Sequence, residues 1–201
     1  GRAKLNLEQR PKETSEKQAA AAVGQVALTN IYDRSLISYG YNSAQILLTR
    51  QIEKDDEMRE NAKNTFEKLL GMNAIPIINE NDTISTYEIK FGDNDTLSAV
   101  IARMVEADLL IMLTDIEGLY TDDPRKNKDA KIIHQVDDIN RVEGMAKETE
   151  SKVGTGGMQT KIKAAKLAIE KNIEVVIASG ESMKTIRDIV KGEEIGTYFK
   201  C

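Results

Sequence analysis

The stretch Gly154-Thr155-Gly156-Gly157-Met158-Gln159-Thr160-Lys161 carries the clearest chemistry in this sequence. Three glycines within four positions let a backbone approach a phosphate closely and take up positive φ. The start of the helix that follows would present unpaired amides and a partial positive charge. Lys161, in the first turn of that helix, would add a point charge. The spacing is neither that of a Walker A loop nor that of the dinucleotide fingerprint. A glycine-rich segment also serves as a plain helix entry, and Lys161 is what turns the reading toward phosphate.

Three further polar clusters stand beside apolar runs. Asn79-Glu80-Asn81-Asp82 follows Ala74–Ile78, and its side chains could grip an ammonium group and orient a carboxylate, or simply form an Asx-turn at a strand end. Gly92-Asp93-Asn94-Asp95 precedes a helical pattern; Asp95 has the position of an N-cap, yet two more acidic or amide groups exceed what capping needs. Thr114-Asp115 leaves the run Leu109–Leu113, and such a pair is also a common strand-to-loop exit. The chain's single histidine, His134, lies in a polar excursion away from these clusters and reads as a surface residue. No cysteine nucleophile in a structured context and no Cys/His set with metal spacing are present, which argues against hydrolase triads and zinc chemistry.

The elements that must position these clusters follow from apolar periodicity. A helix is predicted from Thr14 or Ser15, with Ser15 and Gln18 at capping-box spacing, through Val23, Val26, Ile31 and Leu36 to a stop at Gly40. Ala44–Leu48 reads as a strand and Asp55–Leu70 as a helix ended by Gly71. Ala74–Ile78 reads as a buried strand, Thr96–Val105 as a helix capped by Asp95, and Leu109–Leu113 as a second buried strand. A helix Thr160–Lys171, a strand Ile173–Ala178, a helix Ser182–Val190 and a terminal strand Thr197–Phe199 close the chain. The charged segment 117–137 breaks this rhythm and has room for one short hairpin. Strands separated by helices imply parallel pairing, hence an α/β fold, a three-layer α/β/α sandwich with a mainly parallel central sheet. In such sheets ligands bind beyond the carboxyl ends of the strands, so all the clusters are expected on one rim.

Bulk composition agrees. The chain has 201 residues, 40% hydrophobic and 30% charged, enough for one domain that hides roughly 70% of its unfolded surface. A net charge of −5 with only 4% aromatic residues disfavours nucleic acid as a main partner. No apolar run is long enough for a bilayer, so no membrane partner is expected. The lone Cys201 permits no internal disulfide and no signal peptide opens the sequence, which points to a cytoplasmic location.

Four ordered segments together resemble a known family: Ile75-Pro76-Ile77-Ile78-Asn79-Glu80-Asn81-Asp82, Glu88-Ile89-Lys90-Phe91-Gly92-Asp93-Asn94-Asp95, Leu113 to Thr121, and Val153 to Lys161. They are similar to the glutamate 5-kinase branch of the amino-acid kinase superfamily, and the likeness extends to Glu16–Gln25 and over nearly the whole chain. The resemblance implies one amino-acid kinase domain over 1–201 and an ATP-dependent phosphorylation of the L-glutamate side-chain carboxylate, the first step of proline biosynthesis. It implies that Asp82 and Asn94 contact glutamate, that Thr114 and Asp115 lie at the nucleotide, and that Thr155, Gly156, Gly157, Met158, Gln159, Thr160 and Lys161 wrap the phosphates. Lys161 would stabilise the transferring phosphoryl group and Asp95 would orient the phosphate-binding lysines; Lys90 would help to hold substrate or phosphate. Mg²⁺ would be held mainly by ATP oxygens and water, with no protein ligand.

Members of that family begin with a strand, a Lys-x-Gly-Ser-Ser type loop that supplies a second lysine, and a Ser-Ser-Gly substrate loop. Gly1-Arg2-Ala3-Lys4-Leu5 corresponds to a point beyond them. Either those elements precede the given sequence, or the chain is a fragment expected to be inactive and poorly stable alone; no PUA domain is expected within 1–201. The resemblance also implies a homo-oligomer, dimer or tetramer, and proline as a feedback inhibitor. The competing readings are another carboxylate kinase of the same fold, acting on acetylglutamate or aspartate, and a non-catalytic amino-acid-binding fragment.

Overall fold

A computed structural model describes residues 1–85, 93–122, 124, 126–142 and 156–201. The chain divides into two units, Gly1–Asn94 and Asp95–Cys201, and the division falls in the first turn of a helix.

The first unit opens with α1, Thr14–Ile37. It begins at Thr14, as expected, but without the capping box: Glu13 takes the N-cap position without a side-chain bond, and Gln18 Nε2 donates instead to the Ser85 carbonyl at 3.4 Å. β1 (Asn42–Leu48) and β2 (Ala74–Glu80) pair in parallel, in register from Asn42 with Ala74 to Leu48 with Glu80. Between them α2 (Asp56–Gly71) carries the crossover; Asp55 caps it by accepting from the Met58 amide at 2.9 Å. Gly71 ends the helix as expected, and the left-handed conformation beyond it falls to Asn73 at φ 56°. α1 packs on β1 and α2 on β2, where Phe66 is fully buried.

The second unit is built on one four-stranded sheet, in the order β3 (Leu109–Thr114), β7 (Glu174–Ser179), β8 (Thr197–Phe199), β6 (Gln135–Val136). β3 and β7 are parallel, as are β6 and β8; β8 runs antiparallel to β7. A hairpin of β4 (Leu119–Tyr120) and β5 (Ile132–Ile133) supplies the turn expected in segment 117–137. β7 is buried on both faces, as its unbroken apolar run requires. Val175 and Ile177 face α3 (Asn94–Met104) and α4 (Gly156–Ile169), whereas Val176 and Ala178 face α5 (Thr185–Val190) through Ile189. β3 was expected to be buried too, but it ends the sheet and leaves Leu113 44% exposed.

Two side chains tie β8 in place. Thr197, with no exposure, accepts from the Leu119 amide at 2.8 Å and donates to the Ile133 carbonyl at 2.6 Å, bridging both hairpin strands. The Tyr198 hydroxyl donates to Glu174 Oε1 at 2.6 Å, and that bond pushes the phenol up to about 12. Among the described residues no helix is long and apolar enough to cross a membrane.

Candidate functional site

Helix register brings the central pair of the second unit together. On α3, Asp95, Ala99 and Ala102 recur at helical spacing; on α4, Lys161, Ala164, Ala165 and Ala168 do the same. The alanines are buried in one shared core cluster. Asp95 and Lys161 sit at the amino-terminal ends of these same faces and meet there. Lys161 Nζ reaches both carboxylate oxygens of Asp95, at 2.9 and 3.0 Å, with the two side chains 14% and 19% exposed. Two of the three ammonium N–H groups are thus spent on Asp95 and a third remains for another acceptor. The Thr160 hydroxyl lies 2.7 Å from Asp95 Oδ2 and 2.9 Å from the Gly157 carbonyl, so the carboxylate is held from two sides.

Asp95 lies inside the first turn of α3, which starts at Asn94, and is not the cap that the sequence predicts. Gly156 and Gly157 are likewise already helical, so the glycines open α4 rather than forming a loop ahead of it. A Cβ built on Gly157 would meet nothing within 4 Å. Among the described residues, packing does not demand a glycine there, and amides at the start of a helix suit an anion. Met158 is 6% exposed and points into the core, so its backbone is what could face a ligand. Gln159 follows it, half-buried. Thr114 and Asp115 stand at the carboxyl end of β3, with the Thr114 hydroxyl 3.2 Å from Asp115 Oδ1. Thr155 and Lys90 lie outside the described residues.

Asn79–Asp82 belong to the first unit. Turn chemistry occurs there: Asn79 Oδ1 accepts from the Glu80 amide at 2.9 Å, and the amides of Ile84 and Ser85 close a turn on the Asn81 carbonyl. Glu80 is buried and accepts from the Ser85 hydroxyl at 3.1 Å. Asp82 lines a cavity of about 240 Å³ together with Gln25, Leu47, Asn79 and Thr83. Asn94 is exposed in the first turn of α3.

A paired lysine and aspartate at the heads of two helices suits a ligand bearing concentrated negative charge. The sequence comparisons give that ligand a context: the amino acid kinase family model matches residues 1–179. The chain belongs to the amino acid kinase family. It is 48% identical over 202 residues to a glutamate 5-kinase of Clostridium tetani, covering 100% of this chain and 76% of that protein. It is 48% identical over 200 residues to a glutamate 5-kinase of Carboxydothermus hydrogenoformans, covering 99% of this chain and 54% of that protein. The solved UMP kinase of Bacillus anthracis superposes with a TM-score of 0.63 at 17% identity, over 99% of this chain and 72% of that one. That likeness shows the α/β amino acid kinase fold.

Thr160 stands among the residues the resemblance places at the phosphates, and its bond to Asp95, 65 residues away, is what the sequence does not show. Sequence reasoning missed one member of the polar framework. Gln25 passed as part of a helical stretch; a lone glutamine between Gly24 and Val26, in a run of alanines and valines, was the available signal.

Proposed function

We propose that this chain is the kinase domain of an enzyme that transfers the γ-phosphoryl group of ATP to the side-chain carboxylate of L-glutamate, giving glutamyl 5-phosphate and ADP. The observation that carries the reading is near-half identity to glutamate 5-kinases along the entire chain. The family match runs across the boundary between the two units, which supports treating 1–201 as one domain.

The chemistry is a problem of charge. The carboxylate is already an anion at neutral pH, so no base is needed. Its oxygen attacks the γ-phosphorus, the bond from that phosphorus to the ADP oxygen breaks, and no proton moves. Two anions must meet in line while negative charge spreads over the phosphoryl oxygens, so catalysis reduces to positioning and electrostatic stabilisation. Lys161 donates its remaining N–H to the phosphoryl group, and Asp95 and Thr160 hold that ammonium in place. The amides of Gly156 to Gln159 face the phosphates, and Thr155, Thr114 and Asp115 complete the nucleotide side. Asp82 and Asn94 hold glutamate. Mg²⁺ would be held mainly by ATP oxygens and water, and when bound would supply neutralisation of phosphate charge. The enzyme works as a cytoplasmic homo-oligomer in proline biosynthesis, with proline as its feedback inhibitor.

The test is ADP formation by the intact protein with Mg-ATP and a panel of carboxylates. Glutamate is expected to be the preferred acceptor over N-acetylglutamate and aspartate by at least about tenfold in kcat/KM. ADP release that depends on one of the others, or on none, rejects glutamate as the substrate.

A further inference from the structure

In the first unit a chain of amides determines which way a glutamine faces. The Glu80 backbone N–H donates to Asn79 Oδ1 at 2.9 Å, so Nδ2 is the donor end of the Asn79 side chain. Nδ2 in turn donates to Gln25 Oε1 at 3.0 Å, which commits the carbonyl end of Gln25 and turns its NH₂ group the other way. Among the described residues the buried Gln25 Nε2 has no hydrogen-bond partner. Turning the amide over gives no relief, because it would set one NH₂ group against another at Asn79. A buried amide donor is nearly always paired. Gln25 forms the wall of the cavity of about 240 Å³ that Asn79 and Asp82 also line. That volume lies below the range of drug-sized pockets and suits a molecule as small as an amino acid.

We propose that Gln25 is a substrate-binding residue whose Nε2 donates to the α-carboxylate of the amino-acid substrate. The assignment deepens the glutamate kinase reading and rests on it. An N–H donor needs an acceptor, and the acceptors on free glutamate are its two carboxylates. A donor placed on the attacking side-chain carboxylate would withdraw electron density from the nucleophile, whereas one on the α-carboxylate anchors the substrate at no cost to reactivity. Asp82, on the same wall, is of the right charge for the neighbouring α-ammonium group. The nitrogen is shielded by its neighbours here, and reaching it takes side-chain movement of the size common on binding. Asn79 acts through Gln25: by holding Oε1 it keeps the NH₂ group turned toward the ligand.

The experiment compares the intact wild-type protein with Gln25→Leu and Gln25→Glu. The second retains an oxygen for Asn79 and puts a carboxylate where the donor was, so it reports even if the first fails to fold. Turnover and calorimetric glutamate binding are both measured, with the α-amide of glutamate as a second ligand. Expected is a rise of about ten- to a hundredfold in the KM and Kd for glutamate. The KM for ATP stays within about twofold, and the wild-type preference for glutamate over its α-amide shrinks in both variants. Wild type that binds glutamate without turnover, with binding weakened in the variants, upholds Gln25 and rejects the kinase. Variants that bind glutamate as tightly as wild type, or that keep the full preference over the α-amide, overturn the assignment. Wild type that fails to bind glutamate overturns both.

Discussion

Lys161 is in an unfavourable place for a lysine. It stands in the second turn of α4, near the positive end of the helix dipole, where an anion would be stabilised and a cation is not. Asp95 offsets this, and its own position in the first turn of α3 is one the dipole favours. A cation held against its helix by one carboxylate, itself fixed by the Thr160 hydroxyl, is an arrangement that packing alone does not call for, and it fits a role at a developing negative charge. Lys161→Ala in the intact protein is expected to lower kcat by about 10²–10³-fold while the KM for ATP changes only a few-fold. Asp95→Asn should cost nearly as much, and the double variant little more than either alone, because the two groups act as one unit. A Lys161→Ala variant that loses ATP affinity and keeps kcat would contradict the transition-state role; steady-state kinetics decides it.

At the level of elements, the end of the chain depends on how β8 meets β7. The backbone at Gly196 has φ 76°, and a Cβ there would lie 2.2 Å from the Ile177 carbonyl oxygen, in the middle of the most buried strand. Both the conformation and the close approach require glycine. Gly196→Ala is expected to destabilise the chain by at least about 3 kcal/mol, read as a fall in Tm of roughly 6–12 °C. Gly40 provides the comparison: its φ is 80°, but a Cβ there meets nothing within 4 Å. Gly40→Ala should therefore cost only about 1 kcal/mol, the backbone part alone. Equal Tm shifts for the two would mean that β8 can move away from β7 without loss.

Across the whole molecule, burial is uneven. In the second unit Val175, Ile177, Ala178 and Phe199 have no exposure, whereas α1, 24 residues long, contains no buried residue and leaves Val26, Ile31 and Ile37 about 60% exposed. Apolar burial supplies most of the stabilisation of a helix in a protein, and a helix without it opens early. Hydrogen exchange on this chain should show the amides of Val175 to Ala178 protected nearly to the global limit. Those of α1 should exchange at least about a hundredfold faster. Equal protection of the two segments would show that α1 and β7 open together.

The sequence by itself determined the alternation of elements, the parallel pairing and the polar clusters, because helix and strand periods are written in nearest-neighbour spacing. Ala74–Ile78 and Thr197–Phe199 were legible for that reason, as was the hairpin in segment 117–137. It placed the first helix start correctly at Thr14 and two later ones poorly: Asp95 and Thr160 each read as a beginning, yet both lie inside helices that start before them. Caps depend on single hydrogen bonds, and the side chain of Asp95 had a better partner 66 residues away. Tertiary structure alone decided which way Gln25 faces, since that follows from Asn79, 54 residues further on, and which strand ends the sheet. It also turned Lys161 from a free charge into a held one, because its carboxylate partner, Asp95, lies 66 residues away in the sequence.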